Sequence, residues 1–182
     1  MDRRTFAKLL SSALIARSSG LKALINGNRI VVVGAGIVGS SIAYHLTKMG
    51  AEVTVIERDR PAAHASGRSF AWINASYPKK PYSYHHLSRL SLLSYHRLET
   101  EIGIDVHWGG SLEWFTSLEN QKMLTQEIKI QQDYGVPIEM ISDEKAKELE
   151  PNVKFDKNAK IAFSQIDGAV DAVKLVDRFL SN

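Results

Sequence analysis

The sequence predicts an α/β fold built on a doubly wound, largely parallel sheet. A run of β-branched residues at 29–33 shows no alternation of polar and apolar side chains, which is typical of a parallel strand buried on both faces. A glycine-rich turn at 34–39 follows directly and opens an amphipathic stretch that ends at Gly50. A second apolar run at 52–56 completes a β–α–β unit.

The glycine spacing in this unit suits a turn that holds a dinucleotide. Gly34 permits the tight turn, Gly36 lets a pyrophosphate approach the backbone, and Gly39 lets helix and strand pack closely. The start of the helix offers unpaired N–H groups and a partial positive charge to phosphates. Glu57 can accept hydrogen bonds from a ribose diol, and its charge disfavours NADP although Arg58 follows it. The spacing alone leaves NAD and FAD open.

Two longer segments, 31–44 and 53–58, resemble the opening of the D-amino acid oxidase superfamily, which includes sarcosine and glycine oxidases and dimethylglycine dehydrogenases. Residues 65–69 resemble the family's Ala-Ser-Gly-Arg segment, which runs beside the flavin. Three later landmarks are similar as well: the Gly-x-Leu strand at 110–112, the helix end at 144–151, and the Asp-Gly-x-Val-Asp turn at 167–171, where Ala172 replaces the usual proline.

The resemblance implies an FAD-type Rossmann core and the start of an α+β substrate domain, that is, the N-terminal portion of a flavoenzyme. It implies oxidation of the C–N bond of an amino acid or N-methylated amine by hydride transfer to FAD. The residues expected to contact FAD are Gly34, Ala35, Gly36, Ile37, Val38, Gly39, Glu57, Arg58, Ala65, Ser66, Gly67 and Arg68.

The expected domains are a basic leader at 1–28, an FAD-binding core at 29–105, a partial substrate domain at 106–166, and a helix at 167–182 that returns to the core. In the family, later strands complete the sheet and supply most groups that hold a substrate carboxylate. We therefore expect apolar sheet edges, and no turnover without the missing C-terminal half or a partner subunit.

Two other functions stay open at this point. One is an NAD-dependent dehydrogenase, and the other is a non-catalytic nucleotide-binding fragment of a longer or split enzyme. The 182 residues include no cysteine, which excludes disulfides, thiolate nucleophiles and cysteine-ligated metals. We find no paired carboxylates, Ser/His/Asp set or metal-ligand set in the sequence, so no catalytic residue and no metal site are predicted.

The formal net charge is +3, and its excess of basic groups lies in residues 1–30, which hold six basic groups and one acidic group. The rest holds 17 basic and 19 acidic groups, so no nucleic-acid partner is expected. Residues 3–8 resemble a twin-arginine export signal, although Asp2, Arg17 and the lack of an Ala-x-Ala cleavage site depart from it. The alternative is a basic helix flanking the domain, so periplasmic and cytoplasmic locations stay open. We find no apolar run long enough for a transmembrane segment.

His64 immediately precedes the Ala-Ser-Gly segment. In the dimethylglycine and sarcosine dehydrogenase branch, a His before a similar segment carries flavin covalently, which suits the nucleophilic nitrogen of a neutral imidazole. The short stretch from Glu57 to His64 resembles the noncovalent branch better. A solvated loop histidine is therefore the favoured interpretation.

The remaining side chains receive structural interpretations. The helix after the glycine turn is expected to bury the stripe Val38, Ile42, Leu46 and Met49. A second helix, at 82–101, is expected to carry surface histidines at 85, 86 and 96. The aromatic residues Trp72, Trp108, Trp114 and Phe115 are interpreted as core, with a substrate cleft as the alternative. The run of mixed charge at 143–148 predicts a solvated helix face.

Overall fold

The computed structural model describes residues 27–77 and 79–182, which form two compact units. Within the described residues, unit 1 comprises 27–69 and Ala172–Asn182, and unit 2 comprises Phe70–Asp171. The first unit boundary lies inside the predicted FAD-binding core of 29–105. Because compactness does not say which segment contacts flavin or substrate, the predicted domain roles stay predictions. The export signal lies outside the described residues and also stays a prediction.

Eight strands and five longer helices make up the described residues. In chain order they are β1 (Arg29–Val33), α1 (Ile37–Lys48), β2 (Glu52–Ile56), β3 (Trp72–Ile73), α2 (Tyr82–Ile102), β4 (Val106–His107), β5 (Ser111–Phe115), α3 (Leu118–Asp133), β6 (Ile138–Ile141), α4 (Asp143–Leu149), β7 (Lys160–Ser164), β8 (Gly168–Val170) and α5 (Ala172–Ser181). A single 3₁₀ turn, Ser66–Arg68, lies between β2 and β3. No helix among the described residues is both long and apolar enough to cross a membrane.

Unit 1 is a β–α–β unit closed by the last helix. Strands β1 and β2 pair in parallel, with Arg29 opposite Glu52 and Val33 opposite Ile56. Helix α1 follows β1 after a three-residue turn and ends before Gly50, whose φ of +94° lies in the left-handed region that glycine tolerates. The predicted strands, helix and helix stop are therefore confirmed.

The predicted buried stripe of α1 is wrong at Val38 and Ile42, whereas Leu46 and Met49 are half-buried. Val38 is 68% exposed and Ile42 is also exposed, whereas the opposite side of the helix buries Ser40, Ala43 and Tyr44. The partner explains the difference, because the ring of Tyr44 lies 5.4 Å from the ring of Phe179 in α5. Helix α5, which lies more than a hundred residues later in the chain, therefore determines which face of α1 is buried.

The expectation that β1 is buried on both faces is also wrong. Side chains on one face are half-buried, but Val31 and Val33 on the other face are exposed, and Val33 reaches 81%. Ile56, opposite Val33, is exposed as well. Among the described residues, none covers this apolar face of the sheet, which is a different feature from the apolar edges that we expected.

Unit 2 contains two antiparallel sheets with strand orders β3-β8-β4 and β5-β7-β6. One face of the second sheet packs against α3, and the shared core contains Leu124, Ile128, Val136, Ile138 and Ala162. A second cluster forms around Ala146 of α4, Phe155 and Ile161. The mixed α/β fold class is confirmed, with a parallel pair in unit 1 and additional sheets in unit 2.

The three landmarks of the resemblance have different outcomes. The predicted strand at 110–112 begins as β5 at Ser111, and the helix α4 ends at Leu149, just before Pro151. The predicted turn at 167–171 is wrong, because Gly168–Val170 forms β8, the central strand of its sheet. The two neighbours of β8, β3 and β4, are distant in sequence, so local turn chemistry could not reveal this strand.

Candidate dinucleotide site

The site begins at the turn between β1 and α1. Gly34 has a φ of +100°, which favours glycine, and its N–H donates to the carbonyl of Ile56 at 2.7 Å. An ideal Cβ built on Gly34 meets nothing within 4 Å, so space is open beside this residue. Gly36 precedes α1 with extended backbone and no side-chain cap. The first N–H groups of α1 therefore face a turn without a side chain of its own.

The two later glycines have different reasons to be glycine. An ideal Cβ on Gly39 would lie 2.0 Å from the carbonyl oxygen of Gly34 and 3.5 Å from a methyl carbon of Val32. Because the main obstacle is backbone, Gly39 is required by the packing of helix on strand. An ideal Cβ on Gly36 would lie 3.0 Å from the hydroxyl oxygen of Ser66, which is a flexible side chain. Gly36 is therefore required less by the fold than by access to the turn.

Glu57 lies against the same turn. One carboxylate oxygen accepts a hydrogen bond from the N–H of Ala35 at 2.8 Å, and the other accepts from the N–H of Asp59 at 3.0 Å. The Ala35 and Asp59 amides hold the pKa of the Glu57 carboxyl below its usual value. The group is ionised at neutral pH, and a carboxylate has about four acceptor positions, which leaves room for hydroxyl donors.

The segment at 65–68 completes the site from a third direction. The hydroxyl oxygen of Ser66 accepts a hydrogen bond from the N–H of Ile37 at 2.9 Å, which places the 3₁₀ turn against the start of α1. An ideal Cβ on Gly67 would lie 2.4 Å from the carbonyl oxygen of Ala62 and 3.3 Å from Val173. The Ala-Ser-Gly segment is therefore packed tightly beside the glycine turn.

The other predicted site residues lie at the surface. Arg58, Ala65 and Arg68 are exposed, and Val38 is exposed on α1. His64 is exposed too, with its Nε2 3.5 Å from a carboxylate oxygen of Asp59. This position fits the solvated loop histidine favoured from the sequence, and its covalent attachment to flavin stays untested.

These contacts test whether the chain can receive a dinucleotide. Open space at Gly34, a glycine at the N-cap of α1, and an ionised carboxylate at the end of β2 meet at one turn. Phosphates are recognised by helix N-termini, and a ribose diol is recognised by a carboxylate at this position of a β–α–β unit. The residues present therefore fit an adenine dinucleotide.

The choice of dinucleotide follows from a comparison with known protein families. The sequence profile described as FAD dependent oxidoreductase (DAO) matches residues 29–181. The chain belongs to this family. The predicted family and the predicted FAD cofactor are thereby confirmed, and the family match overrides the NAD alternative.

Individual proteins with similar sequences or structures span a larger length than this chain. Glycine oxidase of Bacillus licheniformis is 31% identical over 129 residues, which are 67% of this chain and 34% of that protein. The mitochondrial pyruvate dehydrogenase phosphatase regulatory subunit of Mus musculus is 32% identical over 159 residues, 81% of this chain and 17% of that protein. The crystal structure of L-proline dehydrogenase from P. horikoshii superposes with a TM-score of 0.76 at 28% identity. That superposition covers 86% of this chain and 41% of the other. The chain thus spans less than half the length of each.

Unit 2 contains a buried carboxylate whose role the sequence did not reveal. Asp167 is fully buried and accepts hydrogen bonds from the N–H of Ala75 at 3.2 Å, the hydroxyl of Ser111 at 2.6 Å and the hydroxyl of Ser76. These contacts join the ends of β3, β5 and β8. The only sequence signal was the Asp-Gly pair at 167–168, which we had interpreted as a turn.

Two predictions about unit 2 side chains need correction. His85 is 1% exposed, not a surface histidine, and it packs against the rings of Tyr82 and Tyr134 because it faces the C-terminal end of α3. Trp72 and Trp114 are exposed, whereas we expected core, because both line a pocket. His86 and His96 are exposed as predicted. Of the described residues, no group of His, Asp and Glu could hold a metal ion.

Proposed function

We propose that this chain provides the FAD-binding N-terminal part of an oxidoreductase that oxidises the C–N bond of an amino acid or an N-methylated amine. The family match over residues 29–181 carries this proposal. Relatives named for glycine and for L-proline support an amino-acid substrate. Glycine carries a primary amine and proline a secondary amine, so both classes of nitrogen are included.

The residues of unit 1 would hold the cofactor through its phosphates and adenosine. The turn at Gly34 and Gly36 would receive the pyrophosphate beside the start of α1, and Glu57 would accept the ribose hydroxyls. Ser66 would hold the Ala-Ser-Gly segment against the same helix start through its bond to Ile37. When bound, FAD would supply a two-electron acceptor for a hydride from the carbon beside the amine nitrogen, and the substrate would leave as an imine that water hydrolyses.

The first experiment tests the cofactor. The purified chain is titrated with FAD, and quenching of flavin fluorescence is followed, with NAD in a parallel titration. We expect saturable binding of FAD and much weaker binding of NAD. Preferential binding of NAD, or no binding of FAD, would contradict the proposed FAD site.

The second experiment tests the chemistry. Glycine, L-proline and sarcosine are added anaerobically to the FAD-loaded protein in its longest natural form, and loss of the visible flavin absorbance is measured. Bleaching by any of them supports amine oxidation. Stable FAD binding with no bleaching by amines would instead favour a non-catalytic role. The mouse relative, which is named a regulatory subunit, is the observation that makes this second function worth testing.

A further inference from the structure

Unit 2 holds a small pocket of about 220 Å³ that the FAD assignment does not use. Its described lining residues all lie between Trp72 and Tyr95, on β3, the loop that follows it, and α2. One continuous stretch of chain therefore forms the pocket. Since drug-sized ligands occupy pockets of roughly 300–1,000 Å³, this pocket suits a smaller molecule.

The lining combines apolar walls with a single charge. Trp72 on β3, and Leu87 and Leu92 on α2, supply apolar surface. Lys79 is the only charged side chain in the described lining. A small molecule in this pocket therefore meets hydrocarbon surface and one amine.

The amine of Lys79 lies at the wall of the pocket. Its Nζ donates a hydrogen bond to the backbone carbonyl of Asn74 at 3.1 Å and lies 5.5 Å from the centre of the Tyr84 ring. Asn74 and Tyr84 also line the pocket, which places Nζ between two of its lining residues. None of the ion pairs among the described residues involves Lys79, so no bound carboxylate blocks its nitrogen.

The surroundings of Lys79 favour its uncharged form. Burial lowers the pKa of the Lys79 ammonium, and the nearby Asp167 carboxylate opposes this effect only in part. Two further groups of α2 are uncharged at neutral pH, because burial lowers the pKa of His85 and raises the pKa of Tyr95. At a given pH, more of the Lys79 amine is therefore uncharged than in an exposed lysine, and only the uncharged amine is a nucleophile.

We propose that Lys79 is a covalent binding site for small uncharged aldehydes, which enter this pocket and form a reversible Schiff base with Nζ. The lone pair of the uncharged amine forms a bond to the carbonyl carbon. The two amine hydrogens then leave with the carbonyl oxygen as water, a C=N bond remains, and addition of water reverses the reaction. Trp72 and Leu87 contact the hydrocarbon part. The described lining offers no second cation to hold a carboxylate, so an aldehyde fits better than an oxo acid.

Selective labelling tests the proposal. The purified chain is incubated at neutral pH with benzaldehyde and cyanoborohydride, which reduces the Schiff base to a stable benzylamine, and the label at each lysine is followed by peptide mass spectrometry. Lys80 is the internal control, because it is the next residue and is exposed. We expect Lys79 to react about fivefold faster than Lys80 in the folded protein and at about the same rate in urea. Equal rates in the folded protein, or a preference that persists in urea, would overturn the proposal.

Two dependences separate a pocket from a merely accessible amine. The rate at Lys79 should saturate with benzaldehyde concentration, because binding precedes bond formation, whereas the rate at Lys80 should rise linearly. The advantage of Lys79 should also shrink as pH approaches 10.5, the ordinary pKa of lysine, because Lys80 then becomes uncharged as well. A linear concentration dependence at Lys79 would contradict binding in the pocket.

A matched pair of variants locates the reaction. Ser91 and Ser94 both lie on α2 and both donate to the carbonyl four residues earlier, but only Ser91 lines the pocket. Ser91→Leu should narrow the pocket and slow benzaldehyde labelling of Lys79 about fivefold, with little effect on labelling by the much smaller formaldehyde. Ser94→Leu should change neither rate, and circular dichroism checks the fold of both variants. Equal effects of the two serine changes, or none from Ser91→Leu, would contradict the assignment.

The labelling needs neither flavin nor turnover, and the described lining belongs to unit 2. Failure of selective labelling with FAD binding intact would remove this inference alone. Failure of FAD binding with selective labelling of Lys79 would leave it standing.

Discussion

Replacing Gly39 with alanine should destabilise unit 1 as a whole rather than merely weaken its site. The new Cβ would lie 2.0 Å from the carbonyl oxygen of Gly34, whereas ordinary contact begins at 3.4 Å, so the two must separate by 1.4 Å. The obstacle cannot rotate away, because Gly34 is held by its hydrogen bond to Ile56 at 2.7 Å. Overpacking of a core typically costs about 1–3 kcal/mol, and a clash of backbone with Cβ belongs at the upper end, about 3 kcal/mol.

The assay must separate the two units. All three tryptophans lie in unit 2, so their fluorescence reports on that unit during thermal or urea unfolding. Hydrogen exchange of peptides that cover α1, measured by mass spectrometry, reports on unit 1. We expect faster exchange throughout α1 in Gly39→Ala.

Gly36→Ala is the matched control. Its Cβ would lie 3.0 Å from the hydroxyl oxygen of Ser66, a side chain that can rotate, and Gly36 has an ordinary φ of −80°. This variant should keep the α1 exchange rates of the wild type and lose affinity for FAD, because a methyl group would occupy the approach of the pyrophosphate. If Gly39→Ala exchanged as slowly as the wild type, the reasoning from helix–strand contact would be refuted.

Three further changes test single side chains. Glu57→Gln should weaken FAD binding about threefold to tenfold, because a neutral amide replaces the charged acceptor that faces the N–H of Ala35. The pKa of Glu57 is lowered, so its contribution is present above its ordinary pKa of 4.5 and is lost as pH falls through the folded-state value. Asp167→Ala should lower the free energy of unfolding of unit 2 by about 3 kcal/mol, measured by urea and tryptophan fluorescence, because three donors lose their acceptor, two of them buried. His85→Phe should raise the unfolding free energy by about 1 kcal/mol at neutral pH, because neither imidazole nitrogen has a hydrogen-bond partner among the described residues. Burial and the nearby Arg89 lower the pKa of His85 below its ordinary value of 6.5. The unfolding free energy of the wild type should therefore fall as pH drops below about 6.5, and that of the variant should fall less.

Exposed neighbours provide the controls for these three changes. Glu52→Gln, Asp156→Ala and His86→Phe alter the same residue types at exposed positions. They should leave FAD affinity and the urea midpoints within experimental error of the wild type. A control that matched its partner variant would show that the measured effect does not come from the contact assigned to it.

Local sequence predicted unit 1 well because its information is local. Strand β1, the turn, α1, β2 and Glu57 follow one another within thirty residues. The position of Ser66 against the N–H of Ile37 was not readable, since it depends on how residues 58–65 fold back. The family resemblance predicted that residues 65–69 lie beside the flavin, and the structure shows the hydrogen bond from Ile37 to Ser66.

The errors came from contacts between residues far apart in the chain. Tyr44 rather than Ile42 is buried because Phe179 packs against it. His85 is buried because the end of α3, at Tyr134, covers it. In both helices the sequence predicted the helix itself, but it did not show which later segment packs against it. The spacing of apolar residues alone therefore could not identify the side of the helix that faces the core.

The central position of β8 also affects how the protein is made. Trp72 of β3 pairs with Ala169 of β8, 97 residues later, and β4 also pairs with β8. At a synthesis rate of about 5–20 residues per second, β3 emerges from the ribosome roughly 5–20 seconds before its only sheet partner among the described strands exists. During that interval the strand edges and the indole of Trp72 lack their sheet partner, so we expect chaperones to bind the nascent polypeptide at this stage of translation.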